Sequence, residues 1–160
     1  MTADELLQMI AAGETLAVEF KGEERTPLND RDLVKAVVCL ANRSGHEPGY
    51  LLIGVEDDGR ITGARPRHGD TTDRNKLAAL IANQTRPSVA VRVESVELDG
   101  RFVLVIEIPP QQHPIASADG VFLRRTTGGD GKPACMPMDA HDVQSLQAGR
   151  GLLDPSAQII

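Results

Sequence analysis

Gly49–Gly63 reads GYLLIGVEDDGRITG, and its first half decides the fold. Tyr50 to Val55 is apolar throughout apart from Gly54, the pattern of a strand buried on both faces at the centre of a sheet. The run ends in three acids, Glu56, Asp57 and Asp58. Asp58-Gly59 then turns the chain back into a short strand over Arg60–Ala64. Upstream, Glu14–Lys21 reads ETLAVEFK. There Leu16, Val18 and Phe20 alternate with Ala17, Glu19 and Lys21, so a second strand buries one face and points Glu19 and Lys21 together off the other. Glu14 stands just before it, near enough to fold back towards Glu19. Acids at the ends of neighbouring strands are one way to gather a divalent cation for phosphodiester chemistry. By spacing alone the plainer reading is favoured: Glu19 and Lys21 form an ion pair, and Asp57-Asp58-Gly59 is a turn.

Working outward, Thr2 and Glu5 have capping-box spacing ahead of Leu6, Leu7, Ile10 and Ala11, which predicts a first helix ended by Gly13. Asn29 or Asp30 caps a longer helix whose apolar positions are Leu33, Val34, Val37, Leu40 and Ala41. Thr72 is expected to cap a third helix, carrying Leu77, Leu80 and Ile81 and stopping before Arg86-Pro87. Val89, Val91 and Val93 alternate towards a hairpin turn at Asp99-Gly100, and Phe102, Leu104 and Ile106 return to Pro109-Pro110. A last strand, Val121–Arg125, passes through a glycine-rich loop, Thr126–Pro133, into a helix around Asp139–Gln147. This order predicts an α/β (α+β) fold, a mixed β-sheet flanked by helices. Residues 1–148 form one domain, and 149–160 form a tail or a truncated linker.

Composition narrows the function. Net charge is −6, which argues against a simple electrostatic clamp on nucleic acid. The charge is uneven: residues 1–58 hold twelve acids against five bases, while residues 59–135 hold eleven bases against eight acids. An acidic half that holds metal and a basic half that holds phosphate would suit a nuclease. The aromatics are only Phe20, Tyr50, Phe102 and Phe122, too few for a base-stacking platform. Cys39 and Cys135 lie far apart without a CxxC, and Cys39 reads as a small buried hydrophobe. No apolar run approaches membrane-spanning length and no signal sequence opens the chain, so no membrane partner and a reducing, cytoplasmic location are expected. Gly128–Lys132 lacks the glycine and hydroxyl positions of a phosphate loop, so ATP is not expected.

Four segments together resemble the Schlafen AlbA-like domain, also called the Schlafen core or divergent AAA-associated domain. Glu14–Lys21 matches its E-x4-EFK opening. Leu33–Asn42, LVKAVVCLAN, matches a helix that ends in Ala-Asn near a glycine-rich turn. Gly49–Gly63 is the most diagnostic segment, and Val121–Lys132 resembles the strand that commonly reads Tyr-x-Arg-x-Gly. Order and spacing agree from about residue 14 to 140. Two departures stand out. The turn Asn42–Gly49 is longer than the family's and contains Pro48, and Glu56 replaces the usual aspartate after Gly-Val.

The resemblance implies work on nucleic acid, RNA or DNA. Animal Schlafens join two copies of this fold into a basic cleft for structured RNA, and some cleave tRNA or rRNA at a Glu-Glu-Asp metal site. In bacteria the domain more often serves as a nucleic-acid-binding regulator. Carried over, Glu14 and Glu19 match the two glutamates, and the third acid falls at Asp57 or Glu56, with Asp57 preferred. These four would ligate Mg²⁺ or Mn²⁺ in a catalytic protein, and Lys21 would assist as a catalytic and phosphate-binding residue. Arg124 and Arg125, adjacent on one strand, face opposite ways. Both are candidates for nucleic-acid binding, of which only one can join a phosphate-binding face; family register favours Arg124, leaving the other to solvate or pair with a surface acid. Three functions follow: a metal-dependent endoribonuclease, a non-catalytic binding or regulatory module, and a protein-interaction domain. One copy cannot close a two-lobed cleft, so a homodimer or a second domain is expected.

Overall fold

The computed structural model describes residues 1–151. Most of the tail expected over 149–160 lies outside the described residues. Helix α1, Ala3–Ala12, carries the expected capping box, with the Thr2 side chain on the Glu5 N–H and the Glu5 side chain on the Thr2 N–H. Strand β1, Val18–Lys21, follows and is shorter than the pattern from Leu16 implies. Helix α2, Asp30–Ala41, is capped by Asn29, and β2, Gly49–Ile53, is the apolar strand expected at the sheet centre.

Strand β2 stops at Ile53 because Gly54 takes φ +105°, a backbone position that leaves no room for a side chain against Gly63 and Ala64. The Gly54 carbonyl accepts from both Thr62 and Gly63. The strand expected over Arg60–Ala64 is therefore reduced to a single bridge, Val55 to Ile61. Helix α3, Arg74–Asn83, is capped by Asp73 rather than Thr72, its carboxylate accepting from the Asn75 and Lys76 amides. The Thr72 hydroxyl instead receives the Arg67 N–H.

A two-residue strand, β3 (Thr85–Arg86), precedes β4 (Arg92–Leu98) and β5 (Arg101–Ile108). Asp99 and Gly100 both take positive φ, 50° and 78°, and close this hairpin as a primed two-residue turn. Strand β6, Ala116–Ser117, pairs with β3. Strand β7, Leu123–Thr127, pairs with β8, Pro133–Pro137, in a separate two-stranded ribbon. The glycine-rich stretch is thus the tip of a hairpin rather than a connection to a helix. Helix α4, Ala140–Gly149, closes the described chain.

The main sheet has the order β1-β2-β5-β4, with β1 parallel to β2 and the other pairs antiparallel. This is the mixed sheet flanked by helices that the sequence predicts. Its two faces bury two separate apolar cores. On one face Leu51, Ile53, Leu104, Ile106 and Ile108 pack under α2 and α3. On the other Val18, Phe20, Leu52, Val103 and Val105 pack with Leu6 and Ile10 of α1. Phe102, which alternates with the buried Leu104 and Ile106, is itself exposed near the hairpin tip.

Two devices tie the β7–β8 ribbon to α2. The fully buried Asn42 amide donates to the carbonyls of Ile115 (2.7 Å) and Leu123 (2.7 Å) and accepts from the Ile115 N–H (2.8 Å). Each such bond contributes a net ~1 kcal/mol. Cys39 of α2 and Cys135 of β8 form a disulfide across 96 residues of sequence, with their Cα atoms 5.7 Å apart. Cys39 is buried as expected but is not a simple hydrophobe, because β8, a strand absent from the sequence pattern, brings Cys135 onto its helix.

Candidate functional site

Strand β1 is the outer strand of the sheet, so one row of its backbone groups has no neighbouring strand. Two of the sequence-selected residues occupy that edge. Glu14 folds back, and its Oε1 accepts the Phe20 N–H at 2.8 Å. Arg125 reaches in from β7 and donates from Nε and Nη2 to the Thr15 carbonyl (3.0 and 2.8 Å) and from Nη2 to the Val18 carbonyl (2.8 Å). An acid takes the free amide, and an arginine adds to the Thr15 and Val18 carbonyls, which already accept each other's backbone N–H; together they block pairing with another strand. Arg125 is 3% exposed, so the expectation that it solvates or meets a surface acid is corrected. The alternation of Arg124 and Arg125 required one of them to point inward, and Arg125 is the one.

Glu19 lies on the same β1 face as Lys21 and is itself buried. Its Oε1 stands 3.2 Å from Lys21 Nζ, the pairing expected from spacing. Its Oε2 stands 3.6 Å from Arg125 Nη1, without a hydrogen-bond partner. Burial raises the Glu14 carboxyl above its usual range, against the Phe20 bond and the Arg125 charge, which lower it. Glu19 and Asp57 add to the rise, so the electrostatic fields of the three acids overlap at Glu14.

Overlapping fields are not a ligand set. Asp57 is exposed on the turn closed by the Gly59 N–H to the Glu56 carbonyl. Glu56 turns aside to accept the Thr62 hydroxyl at 2.6 Å, and its carboxylate lies over Gly22 so closely that a side chain there would displace it. Among the described residues, no three carboxylate, imidazole or thiol side chains gather as a metal-binding group. Each of Glu14 and Glu19 already has an internal cationic or N–H partner. A resident Mg²⁺ or Mn²⁺ held by Glu14, Glu19, Glu56 and Asp57 does not fit this arrangement.

Arg124 points away from β1, and its Nη2 donates to the Ser44 hydroxyl at 2.7 Å. Around it stand two residues that sequence reasoning passed over. Arg43 follows the C-terminus of α2 and is 3% exposed, and Arg150 follows α4. Burial pushes the pKa of both guanidiniums down. The signal that could have found Arg43 was its place directly after the Ala-Asn of the helix motif. Arg150 carried no comparable signal.

The Schlafen, AlbA_2 family description matches residues 14–133. The chain belongs to this family. Among solved structures it is similar to the DIP2311 protein from Corynebacterium diphtheriae, with a TM-score of 0.66 and 25% identity over 92% of this chain. The chain spans only 28% of that protein's length. It also shares its fold with the N-terminal domain of a protein from Nitrosomonas europaea described as related to the ATP-dependent DNA helicase RecG. That likeness has a TM-score of 0.51 and 21% identity, and it covers 88% of this chain and 90% of that one. Among curated proteins none matches. No helix among the described residues is long and apolar enough to cross a membrane.

Proposed function

We propose that this Schlafen AlbA_2 domain binds nucleic acid and does so without cutting it. One observation carries the second half: Glu19, the carboxylate a nuclease would need at its metal, lies between Lys21 and Arg125. Glu14 caps a strand-edge amide, and Arg125 caps the neighbouring carbonyls. These residues form a structural lock on β1. The first half is supported by family membership and by the helicase-related name attached to the Nitrosomonas relative. Lys21, 37% exposed at its side chain, and Arg124 are the basic groups we assign to phosphate contact, and Arg125 is withdrawn from that role. Structured RNA of the tRNA type is the first ligand to try and duplex DNA the second. A second copy of the chain, or a further domain of a longer protein, would complete a two-lobed cleft, and light scattering with and without ligand reads which.

The experiment is fluorescence anisotropy with labelled tRNA, single-stranded RNA and duplex DNA, in EDTA and in Mn²⁺, followed by gel analysis of the ligand. Binding that is equal in both buffers, weakens with salt and leaves the strands intact is the expected result. Mn²⁺-dependent cleavage, abolished in Asp57→Ala, would instead make the domain an endoribonuclease whose acids regroup around metal.

A further inference from the structure

Helix α2 ends at a concentration of positive charge that, among the described residues, no ion pair neutralises. Arg43 lies beneath the exposed turn Ser44–Glu47, and its Nε and Nη2 are sealed from solvent without a hydrogen-bond partner. The Nε of Arg124 is likewise buried and unpartnered. Arg150 donates from Nη1 to the His113 carbonyl (3.0 Å) and from Nη2 to the carbonyls of Ala41 (2.7 Å) and Arg43 (3.3 Å). Both other guanidiniums are close enough that their charges weaken Arg150's hold on its proton. Among the described residues none of the three makes an ion pair, although Arg67, Arg92 and Arg125 all do. The acid whose field reaches Arg43 is Glu47, which is exposed and not paired to it.

Capping of the α2 C-terminus accounts for Arg150, which bonds the last α2 carbonyl, that of Ala41, and the Arg43 carbonyl just beyond it. It does not account for Arg43. A guanidinium taken out of water is costly unless an anion and hydrogen-bond acceptors replace the lost hydration. Arg124 at the Ser44 hydroxyl, the unpartnered Arg43 and the charge of Arg150 beside them provide planar donors suited to an oxyanion, and arginine forks match phosphate oxygens in pairs.

We propose that Arg43, Arg124 and Arg150, with the Ser44 hydroxyl, form a binding site for a phosphomonoester, the terminal phosphate of a nucleic-acid strand. Three positive charges balance a dianion better than the single charge of a backbone diester, and a monoester offers one more free oxygen to the donors of Arg43, Arg124 and Ser44, while Arg150, bonded to backbone carbonyls, adds its charge. The source of the phosphate rests on the nucleic-acid reading above, whereas the anion chemistry stands without it. The long Asn42–Gly49 turn, a departure from the family pattern, supplies Ser44 and forms the rim.

The test uses the full chain at constant ionic strength. Inorganic phosphate is titrated while the arginine Nε–H resonances are followed by NMR. Short RNA strands with a 5′-phosphate or a 5′-hydroxyl are then compared by anisotropy. Saturable shifts at Arg43 and Arg124, lost in Arg150→Met, are expected, together with about tenfold tighter binding of the phosphorylated strand. That preference should vanish in Arg124→Gln, whose fold circular dichroism and unfolding midpoint verify. No saturable response to phosphate overturns the site, even if RNA binds. Phosphate binding with equal affinity for both strand ends overturns the monoester assignment. Phosphate binding with no RNA or DNA binding supports the anion site and removes the nucleic-acid reading instead.

Discussion

The edge of β1 and the end of α2 both bury arginine, and they solve the same electrostatic problem in opposite ways. At β1 the Arg125 guanidinium has two backbone carbonyls and the Glu19 carboxylate around it, and Glu14 completes the edge. At α2 the Arg43 guanidinium has no such company. Two adjacent residues of one strand, Arg124 and Arg125, serve the two regions, because alternation sends them to opposite sides. A satisfied buried charge holds a structure in place. An unsatisfied one stores a demand that a ligand can meet.

The contrast makes the two regions respond to mutation with opposite sign. Arg125→Met should be the costliest change, leaving Glu19 buried without its second cation and removing the guanidinium bonds that tie β7 to the Thr15 and Val18 carbonyls. A loss of about 3–5 kcal/mol in urea unfolding is expected, and a loss below about 1 kcal/mol would show the lock to be ornamental. Next in size is reduction of Cys39–Cys135, which frees the ribbon carrying both arginines from α2. Dithiothreitol should lower stability by about 2–4 kcal/mol, and the Cys39→Ala, Cys135→Ala double variant should ignore it. Equal unfolding midpoints with and without reductant would mean that the Asn42 hydrogen bonds hold the ribbon unaided.

Arg43→Met sharpens the comparison, since removing a charge without partners should stabilise the protein by about 1 kcal/mol in phosphate-free buffer. Destabilisation there would reveal a partner for Arg43 and dissolve the contrast. The smallest effect belongs to Glu14→Gln, which keeps an oxygen for the Phe20 N–H. Burial raises the folded-state pKa of Glu14 above its ordinary 4.5, so the folded protein holds that proton to higher pH than the unfolded chain. Stability therefore falls as pH rises from about 4.5 through the raised value and is flat beyond it. The variant should lack this decline; superimposable profiles would show that Glu14 titrates alike in both states.

Much of the frame was legible because it rests on local chemistry. The Thr2 capping box, the Asn29 cap, the apolar run of β2 and the Asp99-Gly100 turn each depend on residues within a few positions of one another. What escaped depends on partners distant in sequence. Strand β8 is bounded by Pro133 and Pro137 and has no alternation, so only its pairing with β7 defines it. The Cys39–Cys135 bond hides behind that missed strand. At the candidate site, sequence placed Glu19 beside Lys21 correctly. It could not tell which of Arg124 and Arg125 faces inward, because period-2 alternation fixes the relation between neighbours but not the register. Arg150 comes from the last described turn and joins the other two arginines only through tertiary packing.

The Asp99-Gly100 turn carries a consequence for the order of events in folding. Two residues separate β4 from β5, so that ribbon can zip without closing a long loop. By contrast β1 meets β2 only after the chain has travelled through α2. The β4–β5 ribbon is thus the natural template, with β2 added next to β5 and β1 docking last. Substitutions at the turn should slow refolding, whereas those in β1 should mainly hasten unfolding. The strand that bears Glu19 would then be the first part of the sheet to let go.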